Sequence, residues 1–207
     1  MAFFMNKSKK SMVDNIWAKA TEAFWRKEFT KGMVLGRYTL KEPIGSGKLG
    51  WAWSATSRDG EEVCLKISWT SSFHDQRVYA WQEFRALEAL APLGISPRPI
   101  EVYLTPWVSI IVMELIRGVS LDRHATKLPK EEYLRALAEV EPFFAMELPV
   151  WHEDMHLGNF MWDGKKVWLI DLGQARMPSE VGPVARDNRA RRVAQWKGHI
   201  EWVKQWK

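Results

Sequence analysis

The first regular pattern of hydrophobic residues in the chain runs from residue 11 to residue 30. Its apolar residues lie three or four positions apart, a spacing that places them on one face of a helix. Ser11 and Asp14 resemble a capping box, and Gly32 ends the run. The pattern predicts an amphipathic helix that packs on the body of the protein, with a partner-binding or membrane-surface helix as the alternative. Its apolar positions are Met12, Ile16, Trp17, Ala20, Phe24 and Phe29.

Strand patterns dominate the next part of the chain. Residues typical of strands predict three of them in succession, and Arg58, Asp59 and Gly60 predict a tight turn between the second and the third. A helix follows, which prolines end, and two further strands come after the prolines. The predicted ranges are 38–44, 50–56 and 62–69 for the first three strands, 75–90 for the helix, and 100–104 and 108–113 for the last two strands.

The rest of the sequence predicts two helices separated by a hairpin. Pro129 suits the first turn of the first helix. Two short strands, 160–162 and 166–170, turn around Asp163 and Gly164, and a basic helix begins near Ala185. The buried stripes of the two helices are predicted to be Leu134, Leu137, Ala138 and Val140 in the first, and Val193, Trp196, Ile200 and Val203 in the second.

Composition places the chain among folded globular proteins, because 46% of its 207 residues are hydrophobic. Cys64 is the single cysteine, which excludes an intramolecular disulfide and a cysteine cluster for zinc. A reducing cytoplasm is therefore the expected compartment. Lysines interrupt the apolar start of the chain before it reaches the length of a signal peptide, and no later run is long enough for a membrane span.

The net charge of +5 includes a basic cluster at Arg186, Arg189, Arg191 and Arg192. Such a cluster attracts acidic partners, but the solvated face of a helix is the simpler explanation. The thirteen tryptophans are interpreted as packing residues, several of them in strands. Because the aromatic residues are scattered and no nucleic-acid-binding motif accompanies them, the sequence argues against nucleic acid as a partner.

Polar side chains suited to a metal ion surround the second hairpin. Asp154 and Asn159 lie on a short loop before it, and Asp171 ends its second strand. The hairpin returns Asp171 to the level of Asn159. A converging amide oxygen and carboxylate suit a hard cation such as Mg²⁺, which takes its remaining ligands from phosphates and water. Asp154 then stands beside the metal as a base.

The residues His152, Asp154 and Asn159, followed by the sequence Asp171-Leu172-Gly173, resemble the H-x-D-x-x-x-x-N and D-[FL]-G motifs of the protein-kinase-like superfamily. A lone D-L-G in a turn or a lone histidine in a core is usually structural. The order, spacing and strand context of the full set are specific. The resemblance implies phosphoryl transfer from ATP with Mg²⁺, in which Asp154 is the base and Asn159 and Asp171 bind the metal.

The resemblance extends to the phosphates of ATP. Lys66 is similar to the lysine that holds the α- and β-phosphates, although an exposed strand lysine is the alternative interpretation. Glu83 occupies the position of the helix glutamate that pairs with this lysine, with Glu88 as the fallback. Because strand rather than helix follows the glycine-rich segment, that segment fits a flap over the phosphates. Its glycines are Gly45, Gly47 and Gly50.

An adenine site is also implied by the resemblance. Met113 is its gatekeeper residue, and backbone groups of Glu114 and Ile116 bind the adenine edge. The residues implied at the faces of the ring are Ala52, Cys64 and Met161.

Several positions differ from the motifs of ordinary protein kinases, and these differences restrict the members of the superfamily that the sequence resembles. Glu153 replaces an arginine that anchors a phosphorylated loop. His156 replaces the catalytic-loop lysine and makes the loop similar to that of aminoglycoside phosphotransferases. No A-P-E motif follows Asp171, and 34 residues remain after Gly173. The sequence therefore resembles a minimal, atypical Ser/Thr kinase, either RIO-like or a compact bacterial or viral kinase.

The implied fold class is α+β, a bilobal protein-kinase-like fold with a five-stranded antiparallel N-lobe and a truncated, mainly helical C-lobe. Residues 1–32 are expected to form an N-terminal amphipathic helical extension open to a protein partner, 33–116 the N-lobe and 117–207 the C-lobe. The expected acceptor is a protein serine or threonine, with a sugar, lipopolysaccharide or antibiotic hydroxyl as the alternative. A pseudokinase scaffold is one rival function, against which the intact polar positions argue. A nucleic-acid-binding protein that uses the cluster from Arg186 to Arg192 is the second, and it predicts binding that weakens steeply with salt.

Overall fold

The protein is described from a computed structural model that defines residues 29–47, 50–69, 76–105, 108–122, 127–145 and 148–180, and the single residues 198, 200, 201 and 205. The predicted N-terminal helix lies outside these residues except for Phe29 and Thr30, which are not helical. Most of the predicted C-terminal helix and its arginine cluster also lie outside them. The chain divides into two compact units, residues 1–81 with 99–115 and residues 82–98 with 116–207. The lobe boundaries given above stay predictions.

The first unit contains an antiparallel sheet of six strands, in the order β1-β2-β3-β4-β6-β5. The prediction of five strands was wrong by one, because the two-residue strand β1 is too short to show a pattern in the sequence. It pairs Leu35 with Tyr38 across a turn in which Gly36 has a φ of 62°. The strands are β1 Val34–Leu35, β2 Tyr38–Gly47, β3 Gly50–Ser57, β4 Glu62–Trp69, β5 Pro99–Leu104 and β6 Val108–Glu114.

The core of the first unit lies on the sheet, where alternate residues of β2, β3 and β4 are buried. Strand β6 is buried at six consecutive positions, which agrees with its unbroken apolar sequence. Burying the side chains of these strands supplies the main stabilisation of the sheet. The almost fully buried members of this core are Leu35, Tyr38, Leu40, Ala55, Leu65, Ile67, Val108, Ile110 and Val112.

A polar cluster joins strands that are far apart in the sheet order. The Tyr38 hydroxyl on β2 donates to Oε2 of Glu101 on β5 over 2.9 Å, although β3, β4 and β6 separate these strands. Arg37 pairs with Glu101 at 2.7 Å and donates to the Tyr38 hydroxyl, and the Tyr103 hydroxyl donates to the same Glu101 oxygen. The sheet is therefore curled strongly enough for its distant strands to meet.

Among its described residues, the second unit contains part of one helix, a second complete helix and five short strands, and Gly198, Ile200 and Glu201 are helical as well. Helix α1, Gln76–Leu90, contributes its last nine residues to this unit, and helix α2 is Lys130–Ala145. Strands β10, β9 and β7 form one antiparallel sheet and β11 and β8 another. The strands are β7 Val119–Ser120, β8 Trp151–His152, β9 Phe160–Trp162, β10 Val167–Leu169 and β11 Ala175–Arg176, and short 3-10 helices span Leu157–Asn159 and Pro178–Glu180.

Helix α2 buries a stripe that differs from the predicted one at two positions, one of which is Leu134, which is only half-buried. Ala138 is exposed, whereas Ala136 is buried. Tyr133 at the start of this stripe donates its hydroxyl to the Leu121 carbonyl over 3.0 Å, which explains why a polar aromatic residue is buried there. Leu137 and Val140 are buried as the spacing predicts.

The predicted hairpin is present as β9 and β10, with Leu169 opposite Phe160 and Val167 opposite Trp162. Asp163 holds its turn, because Oδ1 accepts from the Lys165 and Lys166 amides and Oδ2 accepts from Trp168 Nε1. Burial alone would raise the pKa of Asp163, but these hydrogen bonds outweigh it and the pKa is lowered.

The segment that follows helix α1 is attached to this hairpin. Gly94, with a φ of 62°, ends the 3-10 turn Ala91–Leu93, and its carbonyl accepts from Lys166 Nζ at 2.6 Å. The next carbonyl, of Ile95, accepts from the Leu169 amide at 2.8 Å. The C-terminal end of α1 and strand β10 are therefore linked within the second unit.

Candidate active site

A buried histidine organises the loop after β8. Nδ1 of His152 accepts from the Asp154 amide at 3.2 Å, and Nε2 lies 3.3 Å from the Ile170 carbonyl oxygen. A carbonyl oxygen only accepts, so Nε2 carries the proton and the ring is neutral. His152 is thus a hydrogen-bonded core residue that ties the loop of Asp154 to the strand end before Asp171.

Asn159 makes the second connection between the loop and the hairpin. It is buried, and its Nδ2 donates to the Asp154 carbonyl at 2.8 Å. Its own carbonyl accepts from the Ile170 amide at 2.9 Å. These bonds use the amide nitrogen of Asn159 and leave Oδ1 as the side-chain atom suited to a cation. The hairpin brings Asp171, the next residue after Ile170, to the level of Asn159, as the sequence predicts.

Asp171 has a backbone conformation that is uncommon for a non-glycine residue. Its φ of 57° lies in the left-handed region, which costs a non-glycine residue on the order of 1 kcal/mol. The following Leu172 is fully buried and fixes the segment, while Asp171 itself is exposed. Aspartate is among the non-glycine residues that adopt this region most readily, so the conformation is compatible with the residue found there.

Glu83 reaches the same segment from helix α1. A Cβ atom built on Gly173 would lie 3.5 Å from Oε2 of Glu83 and 3.7 Å from Oδ1 of Asp171, so both carboxylates lie beside Gly173. Glu83 is buried, and the fallback Glu88 is exposed on the same helix. The structure therefore favours Glu83 over Glu88 for a role at the site, and its pairing with Lys66 stays a prediction.

Glu153 has a partner that the sequence did not reveal. Its Oε2 lies 3.2 Å from Nε of Arg176, which is on β11. The pairing of β11 with β8 places Arg176 opposite Trp151, two residues before Glu153, so Arg176 and Glu153 are diagonal neighbours on one side of the pair. The segment after Asp171 is thus attached to the loop of Asp154 by backbone and side chains together.

Four residues predicted at the nucleotide share one face of the first unit's sheet. Ala52 is opposite Lys66 across β3 and β4, and Cys64 is opposite Met113 across β4 and β6. Cys64 and Lys66 are two positions apart on β4, so their side chains point to the same side, and cross-strand neighbours do as well. Glu114 follows on β6, opposite Val63. The register therefore brings this predicted set together.

The glycine-rich segment forms the ends of β2 and β3, with Gly45 opposite Ala52 and Gly47 opposite Gly50. This agrees with a strand continuation and excludes the helix start of a dinucleotide-binding fingerprint. A side chain at Gly50 would overlap the carbonyl of Ile67, so the close approach of β4 requires glycine there. Ile116 and Met161 of the predicted adenine site belong to the second unit, Met161 on β9.

A sequence model of the RIO domain matches residues 54–184, more than half of the chain. The chain belongs to the RIO domain family. This family is a kinase-like group of ATP-binding phosphotransferases, which confirms the predicted relationship to the protein-kinase-like superfamily and to its RIO-like members. The matched range of the RIO domain includes Lys66, Glu83, Asp154, Asn159 and Asp171, whereas the three flap glycines and Ala52 precede it.

The donor atoms of this RIO domain fit a hard divalent cation. Asn159 contributes an amide oxygen and Asp171 a carboxylate, and magnesium binds to a few such oxygens while it keeps water and phosphate ligands. The described residues contain no group of three or more His, Cys, Asp or Glu side chains that could hold a metal by themselves. Asn159 and Asp171 as magnesium ligands stay a prediction.

Sequence reasoning missed Gln174, which follows Asp171-Leu172-Gly173 directly. Its Nε2 lies 3.4 Å from Oδ2 of Asp154. The signal available in the sequence was its position directly after the D-L-G motif.

Within the described residues, no helix has the length and apolar character needed to cross a membrane.

Proposed function

We propose that this RIO domain transfers the γ-phosphoryl group of ATP to a hydroxyl group, and that the acceptor is a serine or threonine of a protein. The observation that carries the proposal is the pair of hydrogen bonds made by Asn159, to the Asp154 carbonyl and from the Ile170 amide. Together they bring a candidate base and two oxygen ligands into adjoining segments of a domain from a phosphotransferase family.

Asp154 is the proposed base. It accepts the proton of the acceptor hydroxyl as that oxygen forms a bond to the γ-phosphorus and the bond from phosphorus to the β,γ-bridging oxygen breaks, so that ADP leaves. Asn159 Oδ1 and the Asp171 carboxylate would hold a magnesium ion, which would supply positive charge against the phosphates. The rate enhancement comes mainly from alignment of the reactants and from charge stabilisation.

The nucleotide is assigned to the residues that the family resemblance implies. Lys66, positioned by Glu83, binds the α- and β-phosphates, and the segment from Gly45 to Gly50 covers them. Backbone groups of Glu114 and Ile116 bind the adenine edge. The side chains at the ring are Ala52, Cys64, Met113 and Met161. The shared sheet face of Ala52, Cys64, Lys66 and Met113 supports this assignment.

A small-molecule hydroxyl is the second candidate acceptor. The observation in its favour is His156, which gives the loop the D-x-H-x-x-N sequence that is similar to aminoglycoside phosphotransferases. Protein serine or threonine is the primary proposal because the match to the RIO domain spans the whole catalytic stretch.

Two measurements test the proposal. Mg·ATP should raise the thermal unfolding midpoint of the protein, because a ligand of the folded state stabilises it by mass action. Radiolabelled ATP should then label serine or threonine in a denatured protein extract but no sugar or aminoglycoside panel. Labelling of the panel alone would move the acceptor to a small molecule. Nucleotide binding without transfer to any acceptor, water included, would identify a pseudokinase.

A further inference from the structure

Two side chains outside the assigned machinery approach the same oxygen of Asp154. Nε2 of Gln174 lies 3.4 Å from Oδ2, and Nε2 of His156 lies 3.7 Å from it, which is longer than a hydrogen bond. The Asp154 side chain is 43% exposed. Water does not hold a side chain in one orientation, so these two neighbours are the groups that can orient the carboxylate.

The direction of His156 is set by the backbone of its own loop. Its Nδ1 accepts from the Gly158 amide at 3.0 Å, which leaves the proton on Nε2, the nitrogen that faces Asp154. A Cβ atom on Gly158 would lie 2.8 Å from Cε1 of this ring, so the ring packs directly on the glycine. His156 therefore presents a donor toward Oδ2 in a fixed orientation.

The position of Gln174 is also set by backbone contacts. It immediately precedes β11, which pairs with β8 so that Ala175 is opposite His152. In an antiparallel pair, the residue before Ala175 faces the residues that follow His152. The Ala175 amide also donates to the Leu172 carbonyl at 2.9 Å, which closes the turn that carries Gln174.

We infer that Gln174 is a positioning residue for phosphoryl transfer: its amide holds Oδ2 of Asp154, with His156 beside it, so that Oδ1 is the oxygen presented to the acceptor hydroxyl. The inference rests on the proposed role of Asp154 as the base. The Gln174 hydrogen bond is long and exposed, so it contributes little to folding stability. The hydrogen bond matters instead for the alignment of the Asp154 carboxylate, because a small displacement of a catalytic base lowers the rate strongly.

The experiment uses phosphate release from Mg·ATP by the full chain, with water as the acceptor. The variant Gln174→Met keeps the size of the side chain and removes the donor. Its kcat should fall about tenfold while KM for ATP stays within about twofold, because the lost contact concerns the base and not the nucleotide. The matched control is Gln82→Met on helix α1, which should leave both constants unchanged, and both variants should unfold within about 2 °C of the parent.

A double variant separates positioning from a general structural effect. If Gln174 acts through Asp154, adding Gln174→Met to Asp154→Asn should lower the residual single-turnover rate by less than about twofold. A full tenfold loss in that background, an increase in KM alone, or no loss in the single variant would each overturn the inference. If the parent chain releases no phosphate, the same variants are compared by their rates of labelling the protein extract. If it does neither, or if Asp154→Asn matches the parent rate, the proposed function fails first and the role of Gln174 with it.

Discussion

At the scale of single residues, hydrogen bonds decide which atoms remain for chemistry. Asn159 uses its amide nitrogen to hold the Asp154 carbonyl, and this leaves an oxygen for a cation. His152 is neutral because both of its ring nitrogens have assigned partners, which suits a structural role better than proton transfer. The carboxylate of Asp154 is partly open to an incoming hydroxyl, whereas that of Glu153 pairs with Arg176.

The variant Asp154→Asn tests the base. We expect its turnover to fall by about 10² to 10⁴, because an amide accepts no proton, and its affinity for Mg·ATP to change by no more than a few-fold. Single-turnover phosphate release and titration calorimetry measure the two quantities. Asp59→Asn, at a turn of the first unit's sheet, is the control and should behave like the parent. Unchanged turnover in Asp154→Asn would remove Asp154 from the mechanism.

The variant Asp171→Asn tests the metal ligand. Asparagine tolerates the left-handed conformation found at this position, so the substitution changes charge with little change in backbone. We expect Mg²⁺ to strengthen nucleotide binding much less in the variant than in the parent, since a neutral amide replaces a charged hard-oxygen ligand. Calorimetric titrations of ATP with and without Mg²⁺ provide the comparison. Equal ATP affinity under both conditions in the parent would show that the metal assignment is wrong.

The sequence was sufficient to predict which residues are candidate metal ligands. It was not sufficient to predict which partners the exposed side chains contact. Asp154, Asn159 and Asp171 follow a motif with fixed spacing, and the hairpin register between them could be derived from alternation. The contacts of Glu153 and Gln174 depend on β11, a two-residue strand that pairs with another of equal length. A pairing this short leaves no periodic signal, so the partners across it could not be predicted.

At the scale of elements, the long strands were predictable because one or both faces are buried. Alternation marks β3 and β4, and the continuous apolar run marks β6. Strand β1 was not predicted, because its two residues are too few to show an alternating pattern. In helix α2 the helical period was predicted correctly. The sequence could not decide whether Ala136 or Ala138 is buried, because the two residues are identical and only two positions apart. The buried position is Ala136.

The link between Arg176 and Glu153 leads to a prediction about regulation. The charge of Glu153 would repel a phosphate placed beside it, and Arg176 already attaches the segment after Asp171 to the loop of Asp154. We therefore expect the recombinant protein to be active without phosphorylation of that segment. Phosphatase treatment should leave the initial rate of phosphate release unchanged. A loss of more than about tenfold that preincubation with ATP restores would contradict this and indicate a phosphosite near Ser179.

At the scale of whole units, the first unit depends on a polar cluster that closes its curled sheet. Tyr38 is almost fully buried, and burial is the main cause that raises its pKa to about 12. The Glu101 carboxylate adds to this increase, while Arg37 opposes it. The pKa of Tyr103 is also raised, again mainly by burial. The folded state therefore holds the phenol protons more tightly than the unfolded state does.

Stability should consequently decrease at high pH. The contribution of Tyr38 is complete below about pH 10, where the unfolded chain is also protonated, and it is lost as pH rises through about 12, for a change of at most about 3 kcal/mol. Urea unfolding of the parent and of Tyr38→Phe between pH 9 and about pH 12 measures this. The free energy of unfolding of Tyr38→Phe should decrease less with pH than that of the parent. The control Tyr79→Phe, at an exposed site, should show the same decrease as the parent. Parallel curves for the parent and Tyr38→Phe would contradict the assignment.

In the second unit, the hydrogen bond from the Leu169 amide to the Ile95 carbonyl has a consequence for local opening. Strand β10 is held on one side by Phe160 of β9 and at Leu169 by the chain that leaves helix α1. Opening of β10 must therefore break contacts to both, and the amides of Leu169 and Ile170 should exchange with deuterium at a common, slow rate. Protection of these two amides would therefore report on the chain that leaves the helix of Glu83 as well as on the hairpin.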